Sequence, residues 1–200
     1  MIARGDRAAF RAVLRGIPPV ARDAWVDRVL GLELPPDDGP ELPRGGVPYL
    51  PCSVDALLRL VEHAPVRAPD VFVDIGSGIG RAATVVHLLT GAPAVGVEIQ
   101  PTLVAAARDL TARLRLPEVS FVLGDAAQPP LPAASVYLLY CPFSGERLDT
   151  VLAALESVAR SRSVAVCCVD LPLPPCPWLQ PTSPAWPDLT IHRSAGINRS

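Results

Sequence analysis

The chain has 200 residues, half of them hydrophobic and 19% charged, which is enough apolar material for one folded domain and argues against a disordered chain. A net charge of −2 leaves no broad basic surface for nucleic acid. All 18 basic residues are arginine, so a P-loop lysine, a Schiff-base lysine and a lysine general base are excluded.

Taken in chain order, Phe10, Val13, Leu14 and Ile17 recur at helical spacing, and Pro18-Pro19 end that helix. Trp25, Val26, Val29 and Leu30 mark a second helix before Gly31. Residues 34–51 are rich in Pro, Gly and acids and read as a loop. Residues 1–50 are therefore expected to form a helical cap and loop that do not fold independently, with the main body over 51–200. The cap helices are expected to lie over the ligand-binding edge as a lid.

Ser53 caps a helix carrying Val54, Leu57, Leu58 and Val61. Residues 71–75 read as a buried strand, and Gly76, Gly78 and Gly80 form a turn into a helix over 81–90. That helix is expected to bury Ala82, Val85, Val86 and Leu89 and to leave His87 on a solvated face. A strand over 94–98 ends in Glu98, and a helix opening near Pro101 turns Leu103, Ala107, Leu110 and Leu114 inward. A third strand, 119–123, closes with Gly124-Asp125-Ala126, and a Pro-rich connection takes the place of the next helix. A fourth strand, 135–140, ends in Cys141-Pro142-Phe143, and Leu148, Val151, Leu152 and Leu155 mark a further helix. A fifth strand, 163–169, ends at Asp170. The Pro-rich remainder reads as loop, with one late strand over 189–193. Strands alternating with helices define an α/β fold, a doubly wound and mostly parallel sheet between two helical layers.

Cys52, Cys141, Cys167, Cys168 and Cys176 form no C-x-x-C pair, and free thiols without a metal site are expected. Cys167 and Cys168 should face opposite sides of their strand. No apolar run reaches the ~18 residues of a membrane span, and no signal-like core opens the chain. A cytoplasmic protein is expected, with no membrane partner; nothing here sets the oligomeric state.

Ligands of such sheets bind outside the carboxyl ends of the strands. Asp74, Glu98, Asp125 and Asp170 all fall at or near that edge, with Tyr140, Cys141 and Phe143 beside them. A glycine turn between a strand and a helix N-terminus also suits a nucleotide or another anion. The segments 74–80, Gly96-Val97-Glu98 and Gly124-Asp125-Ala126, in that order and spacing, resemble the motifs of class I, seven-stranded S-adenosylmethionine-dependent methyltransferases. The resemblance runs from about Tyr49 to Asp170.

It implies S-adenosyl-L-methionine as cofactor, with the Asp74 region, Gly76, Ser77 and Gly78 around its methionyl part. It further implies Glu98 on both ribose hydroxyls, Ile99 beside adenine, and Asp125 with Ala126 at the adenine amino group. Tyr49, Cys141 and Phe143 would face the acceptor, a small molecule or a protein, and Tyr140 and Asp170 are the candidate catalytic groups. Val136 to Phe143 and Tyr49-Leu50-Pro51 also resemble the non-SET histone-lysine methyltransferases and their small bacterial relatives. Relatives that methylate amino nitrogens often carry Asn or Asp where Cys141 stands. Two other readings remain open: a methyltransferase-like binding subunit without turnover, and an NAD(P)-dependent oxidoreductase, although the latter's G-x-G-x-x-G spacing is not met by glycines at 76, 78 and 80.

Overall fold

The computed structural model describes residues 6–32, 34–39, 42, 47–64, 66–128, 130–141, 144–182 and 186–195. The elements are α1 (Arg7–Gly16), α2 (Pro19–Leu30), α3 (Val54–His63), β1 (Phe72–Ile75), α4 (Arg81–Thr90), β2 (Ala94–Glu98), α5 (Pro101–Leu114), β3 (Val119–Leu123), β4 (Val136–Tyr140), α6 (Glu146–Ala159), β5 (Ala165–Val169), β6 (Leu179–Thr182) and β7 (Leu189–Ser194). They build a seven-stranded sheet of order β3-β2-β1-β4-β5-β7-β6. The first five strands are parallel, and β7 runs antiparallel to both β5 and β6. The doubly wound α/β fold expected from the sequence is the fold observed.

Side chains alternate between two cores as the pleat requires. Phe72, Leu138 and Cys167 belong to one, and Val73, Leu139 and Cys168 to the other. The adjacent cysteines thus face opposite sides, and all five are free thiols. Val73, Val97, Phe121, Leu139 and Val166 are buried in their strands, whereas Val71 and Val95 are only half-buried.

The two faces are covered unequally. On the first, α3, α4 and α5 pack on the sheet; on the second, α6 shares the work with apolar residues of irregular connections such as Leu131 and Leu171. The connections after β3 and β5 contain Pro130, Pro132, Pro172 and Pro174, which cannot continue a helix interior.

Three expectations are corrected. The segment over 179–182 is a strand, not loop: Pro181 removes a ladder donor, which only an edge position tolerates, and β6 is an edge. His87 is buried rather than solvated, because α1 and α3 cover the outer side of α4; its Nδ1–H donates to the Ala92 carbonyl at 2.9 Å. For the same reason every side chain of α4 from Arg81 to Leu89 is buried. Third, α1 and α2 are an outer layer on α4 and α3 rather than a lid, and neither lines the ligand cleft described below.

Arg81 fixes that layer. Its guanidinium is 3% exposed and meets Asp27 at 2.6 Å, Asp23 at 2.8 Å and the Cys52 carbonyl. A buried guanidinium is tolerable only with this degree of pairing. It ties α2 and the entry to α3 onto the first residue of α4.

Beneath the glycine turn, the Phe121 ring occupies the space that a Cβ at Gly80 or Gly96 would need. Phe121→Ala is expected to lower unfolding free energy by about 3–5 kcal/mol through lost burial and a cavity. Gly96→Ala, an overpacking change, should cost about 1–3 kcal/mol. Because the added methyl enters the space the ring vacates, the double variant should lose less than the sum. Urea unfolding of the four proteins measures this, and strictly additive losses would dissociate Phe121 from Gly96.

Candidate active site

The cleft lies where the chain reverses direction across the sheet, beyond the carboxyl ends of β1, β2, β3 and β4. It is a concave cleft open to solvent, at the edge of the sheet where ligands of such folds bind. Gly76 and Gly78 supply its floor, both at positive φ (77° and 52°), a backbone conformation that side chains other than glycine adopt only with strain. The turn is moored to β2, where the Gly76 and Ser77 N–H groups donate to the Val97 carbonyl at 2.9 and 3.1 Å.

Glu98 organises the rim. It is 6% exposed and ends β2 with its carboxylate turned back on the backbone. Oε2 accepts from the Gly78 N–H at 2.8 Å, and Oε1 from the N–H groups of Ile99 at 2.8 Å and Gln100 at 2.9 Å. A carboxylate has about four acceptor positions, so roughly one on Oε2 remains for a ligand donor. Both ribose hydroxyls are accommodated only if the Gly78 N–H turns to the ligand.

The next residue but one extends the rim. Buried Gln100 accepts the Gly39 N–H at 2.6 Å through Oε1 and donates through Nε2 to Asp38 at 2.8 Å. Asp38 in turn accepts the Tyr49 N–H at 3.0 Å. The Tyr49 ring packs on Gly78, where it fills the position of a missing Cβ. The loop after α2, not the cap helices, therefore walls the cleft. Gln100 carried no motif in the sequence; only its place two residues after the acid at a strand end distinguished it.

Asp125 lines the opposite wall with Gly124 and Ala126. Its Oδ1 accepts the Ala127 N–H at 2.9 Å and the Arg147 guanidinium at 2.5 Å. Arg147, at the start of α6, also lines the cleft and was not singled out from sequence.

Of the residues expected at the site, Gly76, Gly78, Glu98, Ile99, Asp125, Ala126, Tyr49, Tyr140 and Cys141 all line the cleft. Three do not. Ser77 is buried beneath the turn against Gly96. Asp74 is buried in β1, beneath the turn and close to the first turn of α4. Asp170 is exposed at the end of β5, and its carbonyl accepts from the Cys141 thiol at 3.3 Å. Cys141 and Asp170 both hold positive φ, 42° and 49°. Phe143 lies outside the described residues. His63 packs its ring against Trp186 at 4.5 Å and His192 sits in β7, neither lining the cleft. Among the described residues no cluster of His, Cys, Asp and Glu could hold a metal ion, and no helix is long and apolar enough to cross a membrane.

Burial dominates the electrostatics at the Tyr49 and Tyr140 end. Desolvation raises both phenols, with Arg81 opposing and nearby acids adding. Desolvation likewise pushes up the Cys52 thiol. All three are neutral donors at neutral pH, not bases.

The fold is that of class I methyltransferases, and the cleft stands at that fold's ligand edge. Residues 73–163 match the family model described as "Methyltransferase domain". An RNA methyltransferase from Salinibacter ruber, solved in complex with S-adenosyl-L-homocysteine, is 26% identical and superposes over 72% of this chain and 92% of its own at a TM-score of 0.55. The yhhF protein of Escherichia coli (16% identity, 78% of this chain and 91% of its own, TM-score 0.59) shares the fold. So does the PH0226 protein of Pyrococcus horikoshii (14%, 72% and 89%, TM-score 0.55). No curated protein matches the chain in sequence.

Asp74 makes a pH prediction. Desolvation first, then the neighbouring Glu98 charge, push its carboxyl up to about 7, and the Ala83 N–H opposes them. The folded chain therefore holds this proton more tightly than the unfolded one. The associated stability is fully present below about pH 4 and is lost as pH rises through about 7. Relative to Asp74→Asn, wild type should lose on the order of a few kcal/mol between pH 4 and 8. Urea unfolding at a series of pH values tests this; a constant difference would place the carboxylate in water.

Proposed function

We propose that the protein is an S-adenosylmethionine-dependent methyltransferase whose acceptor enters beside Tyr49, Tyr140 and Cys141. The observation that carries this reading is the convergence of Gly76, Gly78, Glu98 and Asp125 on one cleft. The donor set fits: two carboxylates face groups that must donate, and a side-chain-free turn admits close approach. Glu98 would hold the ribose, Ile99 would lie beside the base, Asp125 with Ala126 would receive its amino group, and the turn would take the methionyl part. When bound, the cofactor supplies an electrophilic methyl on a sulfonium.

What the chain contributes is orientation and dryness. Tyr49 and Tyr140 are held protonated by burial, so they position an acceptor by donating hydrogen bonds and excluding water. Tyr140 is the candidate for contact with the acceptor. A base is required only where the acceptor must first lose a proton, and Asp170, exposed near this end, is the candidate for that case. The likeness to the non-SET histone-lysine methyltransferases rests on residues 136–143 and on Tyr49-Leu50-Pro51. Protein amines, small molecules and RNA therefore form the acceptor panel, RNA because of the Salinibacter ruber neighbour.

Calorimetry with S-adenosylhomocysteine and NAD tests the cofactor. Binding of the first and not the second is expected; the reverse would establish the oxidoreductase reading. Turnover over the panel separates an enzyme from a binding subunit. Glu98→Ala removes charge-assisted hydrogen bonds of about 1.5–3 kcal/mol each, including three that hold the protein's own backbone. Affinity for S-adenosylhomocysteine should fall at least roughly tenfold, together with a loss of stability. In Glu98→Gln, the amide oxygen still serves Ile99 and Gln100 while its NH2 faces the Gly78 N–H, so the loss should be smaller. Glu118→Ala, an exposed acid remote from the cleft, is the control. Unchanged affinity in folded Glu98→Ala would reject this site.

A further inference from the structure

Asp125 does not act alone. Its Oδ1 is filled by two donors, the Ala127 N–H at 2.9 Å and Arg147 at 2.5 Å. Both side chains of the ion pair are largely buried, 16% exposed for Asp125 and 26% for Arg147, and both line the cleft. At this depth the guanidinium does two things. It compensates the carboxylate's charge at a position largely shielded from water. It also fixes the rotamer, because an oxygen held from two directions cannot exchange places with its twin. Oδ2 takes no hydrogen bond among the described residues.

A carboxylate accepts and does not donate, and one that is free to turn holds neither oxygen at a fixed point. We propose that Arg147 is a positioning residue for specificity: it holds the Asp125 carboxylate in one orientation, so that the cleft admits a nucleoside whose base presents an amino group and rejects one whose base presents a keto oxygen. The inference rests on the methyltransferase reading of the cleft and adds to it a residue outside the strand-end motifs. The discrimination follows from leaving a buried acceptor facing another acceptor, a mismatch that polar sites reject far more strongly than a change in size.

The test pairs S-adenosylhomocysteine with S-inosylhomocysteine, which differ in the amino or keto group of the base. Calorimetry is run on wild type, Arg147→Met, which keeps a comparable stem, and Arg147→Lys, which keeps the charge. Wild type should prefer the adenosine compound by at least roughly tenfold. In Arg147→Met the ratio should fall severalfold, with most of the change in a weakened adenosine compound. Arg147→Lys should restore part of the ratio. Near-ultraviolet circular dichroism confirms the fold, but a folding defect would weaken both ligands alike and leave their ratio intact. An unchanged ratio in Arg147→Met overturns the proposal, and so does tighter binding of S-adenosylhomocysteine, which would make Arg147 a competitor for Asp125. Failure of wild type to bind either compound would instead overturn the methyltransferase reading itself.

Discussion

The cleft depends on one buried carboxylate. Glu98 gathers the N–H groups of Gly78, Ile99 and Gln100 around two oxygens, and these groups come from a turn and a strand end 20 residues apart in sequence. Without a strong acceptor, three backbone donors would be left unpaired at the same buried spot. The turn at positive φ and the departure of the chain from β2 are thereby set against each other. From Gln100 the constraint continues through Asp38 to Tyr49, whose ring returns to Gly78. The loop that walls the cleft is thus held by the same residues that shape its floor.

Arg81 makes a second closure one layer out. It follows the last glycine of the turn and engages Asp23, Asp27 and the Cys52 carbonyl. A guanidinium this buried would be costly unpaired, so the position of α2 follows from the position of the turn. This accounts for the complete burial of α4. A helix in an open α/β layer normally shows one wet face, but here α1 and α3 take that face, and Arg11 of α1 donates to the Leu89 carbonyl near the end of α4. The cap is a buttress for the glycine turn.

The sequence made the parallel sheet and the Glu98–Asp125 side of the cleft readable because both are written in local patterns. β-branched runs, glycines at fixed offsets and acids at strand ends declare themselves within ten residues, and Glu98 and Asp125 lie where those patterns placed them. What escaped was set by distance. His87 falls off the apolar stripe of its helix, and only the docking of α1 and α3 buries it. β6 hides behind Pro181 because an edge strand tolerates what a central one does not. Asp74 belongs to the motif but is buried in β1 and does not line the cleft, a distinction in depth that sequence spacing does not carry. Arg147 and Gln100 reach the cleft only through tertiary packing.

The acceptor end follows a different physical logic from the cofactor end. Around Glu98 and Asp125 the polar groups are carboxylate acceptors met by backbone N–H groups and by Arg147. Around Tyr49, Cys52 and Tyr140 desolvation keeps every raised group neutral. A site whose phenols are raised by burial does not drive proton abstraction through them. Under the methyl-transfer reading, its rate enhancement must come from desolvating and aligning an acceptor that arrives already nucleophilic. A neutral amine, a thiolate or a ring nitrogen with a free lone pair meets that requirement; an alcohol with its proton in place does not, unless Asp170 reaches it from its exposed position at the end of β5.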